Sequence, residues 1–328
     1  MRQQQYDLLK GIGIILVLIG HANVNRTLFT DLYLFHMPLF FMASGCFFKL
    51  KEGESFGSFL KKKAMRLLVP YLFFLAIFIG FNLLSVVLWP DESGIADGIK
   101  GKLIQFAIGL TGQQESLAFR TLWFLICLFE VFVVYWCLAH IKSKKARTAV
   151  SFAVFLVGYA LQVFKIDIPF FIDSTLTVQF FFHLGWLFRV TKWSEKQFSP
   201  IVSVVSLVII FLVFNQLTVY TDYRTNLFEL SSVPIMLLIV WNLYNICLWL
   251  GSGPLKDSKL TSGLNKLGIE SMLIYGLHRN FFIMIEPPLE QAGVNEYLIS
   301  VIMVPVAIGC ILLMSGWLHK HIPTLIGE

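Results

Sequence analysis

Long apolar runs separated by short polar connections recur along the whole chain. Ten of these runs are long enough to cross a bilayer, and inside lipid only a helix satisfies its own backbone hydrogen bonds. The predicted spans are 8–24, 33–49, 67–89, 120–139, 149–165, 175–191, 200–219, 229–250, 267–285 and 297–318. The pattern therefore predicts an all-α, polytopic membrane protein. We expect one bundle over residues 1–328, without an appended soluble domain.

Two connections carry a helical apolar pattern that is too short or too polar to span a bilayer. The connection 90–119 has apolar residues at helical spacing, which predicts a helix lying in the membrane interface. These residues are Ile99, Leu103, Phe106, Ala107 and Leu110. The connection 49–66 has Phe56, Phe59 and Leu60 among lysines, which predicts a second short amphipathic helix.

Composition and charge support a membrane protein and give it an orientation. The chain is 57% hydrophobic and 14% charged, against about 25% charged residues in a soluble domain. Lysine and arginine concentrate in alternate connections, so the positive-inside rule predicts cytoplasmic termini in a cell inner membrane. The net charge of +6 fits loops that face anionic lipid, and no nucleic-acid partner is expected. The first apolar run lacks a small-residue cleavage site, which predicts a retained helix.

The five cysteines all fall inside apolar runs, at positions 46, 127, 137, 247 and 310. None is spaced like a metal ligand, so we expect buried hydrophobic residues and no metal site.

The first two spans carry titratable side chains at membrane depth, where such groups are costly and usually functional. Lys10 and His21 are eleven residues apart, which returns a helix to within about 20° and separates them by about 16 Å along the axis. Asp7 is spaced to pair with Lys10, which either binds a ligand or anchors the helix at the inner surface. His36, in the second span, is expected near His21 across the hairpin. Two imidazoles predict proton handling.

The later spans add further polar groups at membrane depth. Glu130 and Trp123 share one helix face, and Glu130 is either functional or bonded to a neighbouring helix. Trp123 also fits an interfacial aromatic belt. Arg189 is expected near the inner surface. The last polar group is a stripe at i, i+4 and i+7 followed by a basic residue: Ser271, Tyr275, His278 and Arg279.

These landmarks resemble acyltransferase family 3, integral-membrane enzymes that O-acylate surface sugars and related acceptors. The family's first helix has an arginine, ten residues and a histidine, where this chain has Lys10 and His21. "HMPLFFMASG" (36–45) resembles the family's "HMPLFFFLSG". The stretches "RLLVPYLF" (66–73), "LWFL" (122–125) and "SMLIYGLH" (271–278) resemble later landmarks, so the resemblance covers most of the chain.

The resemblance implies a ten-helix bundle, an acyl-coenzyme A donor that enters from the cytoplasm and the first-helix histidine as base. We therefore expect O-acyl transfer, with acetyl as the expected group, to a hydroxyl of a sugar, polysaccharide or lipid-linked glycan. Lys10 in place of arginine cannot hold a phosphate in a bidentate way. Oligomeric state is left open, and a homo-oligomer is compatible with the pattern.

Each polar group receives an expected role in that reaction. The expected catalytic residues are His21 as general base, with His36 or Glu130 to orient it or relay the proton. The expected donor-binding residues, which would hold the phosphates of coenzyme A, are Lys10, Arg66 and Arg189. The expected substrate-binding residues are Trp123, Tyr275, His278 and Arg279, of which Tyr275 or Arg279 also suits an oxyanion donor.

A polysaccharide exporter or other membrane transporter is the alternative, because ten spans with buried polar groups also suit a carrier. The sequence shows no internal repeat of the kind common in transporters, and acidic pairs typical of cation coupling are sparse. Acyl-coenzyme A binding discriminates between the two functions.

Overall fold

A computed structural model describes residues 4–22, 26–90, 94–110, 117–195, 198–218 and 233–328. Within them every regular element is helical. The α-helices are α1 Gln4–His21, α2 Arg26–Cys46, α3 Phe56–Leu88, α4 Gly94–Leu110, α5 Leu117–Ala139, α6 Lys144–Val163, α7 Ile172–Val190, α8 Pro200–Thr218, α9 Val233–Ser252, α10 Lys259–Ile269, α11 Ser271–Gln291 and α12 Glu296–His321. The all-α prediction is confirmed.

Each predicted span coincides with a helix, although several boundaries differ. α3 begins eleven residues before its predicted span, so the predicted amphipathic helix within 49–66 is the first part of α3. Ser55 caps this helix by accepting a hydrogen bond from the Ser58 N–H at 3.4 Å. α10 was not predicted. Residues 219–232, which include the start of the predicted span 229–250, lie outside the described residues.

Among the described residues, five helices are both long and apolar enough to cross a membrane by composition: α3, α5, α6, α9 and α12. The count of ten spans therefore remains a prediction. α8 is apolar over Pro200–Val213, a stretch shorter than a full span. In other helices, buried polar residues lower the mean hydropathy. α7, for example, buries Thr177, Gln179 and His183. Such residues reduce a hydropathy average without exposing polar groups to lipid.

The chain divides into two compact units. The first contains Met1–Lys49, Ile141–Phe164 and Leu176–Ser271, and the second contains Leu50–His140, Lys165–Thr175 and Met272–Glu328.

In the first unit, glycines let helix backbones touch, as is common between membrane helices. Gly45 of α2 packs on the backbone of Phe182, and Gly185 of α7 packs on the backbone of Met42. The Cys46 thiol donates to the Gly185 carbonyl at 3.1 Å. The absence of a side chain at Gly45 and Gly185 lets α2 and α7 pack this closely.

A polar seam joins α6 to α7 in the same unit. Ser151 donates to the Gln179 side-chain oxygen at 2.9 Å, and the Gln179 amide donates to the Ser151 carbonyl at 2.7 Å. His183 and Thr148 share a hydrogen bond of 2.9 Å. These bonds satisfy polar groups that would be costly in lipid.

In the second unit, aromatic contacts fix α3 against α5 in antiparallel order. Phe56 packs on Trp136 with ring centroids 4.8 Å apart, and Phe59 packs on Phe132 at 6.5 Å. The Lys63 ammonium lies 3.5 Å from the centre of the Phe132 ring, a cation–π contact. The amphipathic start of α3 is thereby fixed to the last turns of α5.

The helix predicted for the interface is present as α4. Phe106 is buried and meets Phe78 of α3 edge to face at 6.1 Å. Gly98 packs on Val86. Leu103 and Ile104 are about half exposed, at 49% each. The side of α4 that packs on α3 is therefore the 98–102–106 stripe, and part of the predicted apolar face is left to face lipid.

Candidate functional site

The α1–α2 hairpin holds both predicted catalytic histidines. Its register follows from two contacts: Gly13 lies against Leu39 and Phe40, and the Tyr6 and Phe47 rings are 4.9 Å apart. His36 is therefore level with residue 16 or 17 of α1, about 6–7 Å along the axis from His21. His36 is fully buried, whereas His21 is half-buried. Both imidazoles therefore lie in the half of the hairpin where α1 ends and α2 begins. Their chemical roles stay predictions.

The predicted pairing of Asp7 with Lys10 is confirmed. Lys10 Nζ lies 2.7 Å from Asp7 Oδ1, and the lysine side chain keeps 26% of its surface exposed. α10 packs closely against this end of α1. Gly268 packs on the Asp7 backbone, and Gly11 packs on the Leu264 backbone. The ammonium is thus held at a fixed place beside the hairpin.

The other two cations predicted to hold the donor occupy different positions. Arg189, at the end of α7, donates from Nη2 to the Phe48 carbonyl at 3.3 Å, just beyond the end of α2. Arg66 is exposed on α3 and belongs to the second unit. Of the three cations, Lys10 and Arg189 therefore belong to one unit.

A pocket of about 430 Å³ lies within the first unit, between α1, α2, α7 and α9. Its walls are mostly aliphatic and aromatic, and include Ala43, Val240 and Trp241. Leu9 and Phe188 also line it, and the next residues along the chain are Lys10 and Arg189. An apolar pocket of this size suits the apolar part of a small ligand.

Glu130, on α5, accepts a hydrogen bond from the Thr175 hydroxyl at 2.7 Å. The same hydroxyl lies 3.1 Å from the Cys127 sulfur. Asp173, two residues before Thr175, is buried and accepts from the Ile168 N–H at 3.3 Å. The first turn of α7 thus holds the Glu130 carboxylate, which gives it a structural partner. His21 and His36 belong to the other unit.

Tyr275 joins α11 to α5 in the second unit. Its hydroxyl accepts from the Phe124 N–H at 3.3 Å, and the two rings meet edge to face at 5.6 Å. The neighbouring Trp123 packs on Phe171 at 6.0 Å. Two predicted substrate-binding residues, Trp123 and Tyr275, therefore lie around the same turn of α5.

His278 is fully buried on α11 and bonded to its own helix. Its Nδ1 is 2.8 Å from the Tyr275 carbonyl oxygen, so this nitrogen carries the proton and donates. The ring meets Phe282 edge to face at 5.5 Å. These two contacts fix the plane of the His278 ring. The role of His278 in substrate binding stays a prediction.

Arg279 lines a second pocket, of about 350 Å³, between α3, α4 and α11. Unlike the first pocket, its wall is about as polar as it is apolar. The lining residues that carry polar or aromatic groups are Phe78, Asn82, Ser85, Trp89, Lys102, Arg279 and Glu286. Arg279 thus lines a pocket to which neither Tyr275 nor Trp123 contributes, and other polar groups line it as well.

The comparison with known families settles the class of protein. A family model described as an acyltransferase domain matches residues 3–319. The chain belongs to this acyltransferase family. The match covers nearly all of the twelve helices, so the resemblance drawn from five short motifs is confirmed.

This acyltransferase-family chain also has curated relatives, at modest sequence identity. It is similar to Nodulation protein NolL of Mesorhizobium japonicum, with 28% identity over 206 residues, 56% of this chain and 49% of that protein. It is also similar to Nodulation protein NolL of Sinorhizobium fredii, with 28% identity over 199 residues, 54% of this chain and 49% of that protein. The chain spans about half the length of the curated relatives it matches. No solved structure matches it significantly.

Sequence reasoning missed several polar residues that this acyltransferase-family chain places in the second pocket or, for Thr175, beside Glu130. Asn82 is an amide within an apolar run of α3, and that contrast was a usable signal. Lys102 and Glu286 appeared to be ordinary interfacial charges. Thr175 gave no signal, since threonine is common in membrane helices.

Proposed function

We propose that this protein is a membrane O-acyltransferase that moves an acyl group, with acetyl as the expected group, from acyl-coenzyme A to a hydroxyl of a cell-surface sugar, polysaccharide or lipid-linked glycan. The observation that carries the proposal is the acyltransferase family match across residues 3–319. We place the protein in a bacterial inner membrane with cytoplasmic termini, because the basic connections alternate as the positive-inside rule requires.

In this proposal His21 is the general base. Its imidazole takes the proton of the acceptor hydroxyl while that oxygen attacks the thioester carbonyl. The tetrahedral intermediate then collapses, the carbon–sulfur bond breaks, and coenzyme A leaves as a thiolate that takes up a proton. The products are an O-acyl ester and free coenzyme A. His36, about one turn away along the hairpin, orients His21 or relays the proton.

The donor is proposed to bind at the Lys10 end of the hairpin. The apolar pocket beside Leu9 and Phe188 suits the methylene and methyl groups of a pantetheine arm, and Lys10 and Arg189 supply positive charge for phosphates. Lys10 and His21 are about 16 Å apart along one helix. This distance suits an extended arm whose thioester reaches the base.

The test uses purified protein in detergent with acetyl-coenzyme A and a cell-surface polysaccharide fraction, with ester formation followed by mass spectrometry. His21→Ala should lower the rate by about 10²-fold or more, the usual contribution of a general base. His140→Ala is the matched control, because His140 is exposed and bonded only to its own helix at Trp136. Wild-type rates in His21→Ala, with the fold intact, would overturn the assignment.

A further inference from the structure

The pocket around Arg279 is built from three helices that each present one face to it. α3 contributes Phe78, Asn82, Ser85, Val86 and Trp89, which recur at helical spacing. α11 contributes Arg279, Ile283, Glu286 and Pro287 at the same spacing, and α4 contributes Lys102. Because α3 and α11 each line the pocket along one helix face and α4 adds a third side, the pocket is a regular feature of the helix packing.

Charged side chains from two helices line this pocket. Among the described residues, these are the cations Lys102 and Arg279 and the carboxylate Glu286. Arginine presents a planar set of donors that matches a carboxylate. Lys102 on α4 and Arg279 on α11 thus bring two cations from different helices to one pocket, which suits a ligand carboxylate.

The uncharged groups favour a sugar ring. Asn82 is buried and donates from its amide nitrogen to the Phe78 carbonyl at 2.8 Å, which leaves its side-chain oxygen to accept from a ligand hydroxyl. The Ser85 hydroxyl donates to the Asn82 carbonyl at 2.8 Å, so the hydroxyl oxygen can also accept a hydrogen bond from a ligand. Trp89, which caps α3, offers a flat apolar surface on which a sugar ring can pack.

We propose that this pocket binds an acidic sugar, a unit that carries a carboxylate such as a uronic acid, as part of the acceptor glycan. Lys102 and Arg279 hold the carboxylate, Asn82, Ser85 and Glu286 accept from hydroxyls, and Trp89 packs on the ring. The inference rests on the proposed function in that it names the acceptor class. The pocket itself is defined within the second unit alone.

The test measures binding to purified protein in phosphatidylcholine nanodiscs, without acyl donor. The probes are a soluble oligosaccharide that contains a uronic acid and the same oligosaccharide after reduction of its carboxyl groups. Wild-type protein should bind the acidic form about tenfold more tightly or better, as expected for a charge-assisted contact. Lys102→Gln and Arg279→Gln should abolish this preference.

Lys100→Gln is the matched control, because Lys100 is exposed on the same helix and does not line the pocket. It should keep the preference for the acidic probe. If Arg279→Gln does not fold, Lys102→Gln decides, since Lys102 lies on the short interfacial helix α4. Equal binding of both probes by wild-type protein, or an equal loss in Lys100→Gln, overturns the proposal.

A lipid phosphate is the competing ligand for these cations. In nanodiscs that contain phosphatidylglycerol, a rise in thermal stability that Lys102→Gln and Arg279→Gln both remove, with neither sugar bound, overturns the proposal in favour of a lipid site. Acetyl-coenzyme A turnover is measured on the same preparation. If the protein turns over acetyl-coenzyme A but does not prefer the acidic sugar, only this inference is overturned. If it prefers the acidic sugar but shows no turnover, only the proposed acyl transfer is overturned.

Discussion

Single polar residues in this protein are held by partners on neighbouring helices. The Glu130 carboxylate lies 2.7 Å from the Thr175 hydroxyl, which the sequence places forty-five positions away. Glu130 itself was recognisable from the sequence as a charge in an apolar run. Its partner was not, because hydrogen bonds across helices depend on which helices are neighbours, and a one-dimensional pattern does not contain that information.

Replacing Thr175 with valine tests the role of this bond. The change keeps the shape of the side chain but removes the hydroxyl, so a half-buried carboxylate loses its donor. We expect a loss of about 1–3 kcal/mol in the free energy of unfolding, measured by denaturant titration in detergent. In a Glu130→Ala background the same change should cost much less. Equal losses in both backgrounds would show that the bond has no stabilising role.

At the scale of helices, the positions of the spans were predictable and their packing was not. Apolar runs of bilayer length mark helices whatever their neighbours are, which is why each predicted span coincides with a helix. α10 was missed because it is short and polar, and it is positioned by contacts of Gly11 and Gly268 with α1. Gly45 was the exception, since a small residue beside Ser44 indicates close helix contact.

Gly45→Ala tests the contact between α2 and α7. A methyl group there would overlap the backbone carbonyl of Phe182, so the two helices would have to separate. We expect a loss of about 1–3 kcal/mol or more and reduced yield of folded protein, judged by size-exclusion chromatography and thermal unfolding.

Gly309→Ala is the control for that experiment, because Gly309 lies within α12 with open space around it. Alanine is a better helix former than glycine by about 1 kcal/mol, so this variant should be as stable as the wild type or more so. If both variants lost the same stability, the loss would reflect the helices themselves rather than the contact between α2 and α7.

At the scale of the whole molecule, the distribution of charge predicts the orientation in the membrane. Single cysteines are introduced at Lys142, in a basic connection, and at Asp167, in the following one, with the five native cysteines replaced. A membrane-impermeant maleimide applied to intact cells should label position 167 and not position 142. Both positions should react after permeabilisation. Labelling of position 142 alone in intact cells would reverse the predicted topology.

The central claim is that a cytosolic thioester reaches the His21 imidazole through the interior of the protein. The most direct measurement uses proteoliposomes of known orientation, with the acceptor polysaccharide fraction on both sides and acetyl-coenzyme A supplied to one side only. We predict that free coenzyme A appears only when the donor is on the side of the termini, and that His21→Ala abolishes this release while His140→Ala does not. Release that needs the donor on the opposite side, or that persists in His21→Ala, would contradict the account.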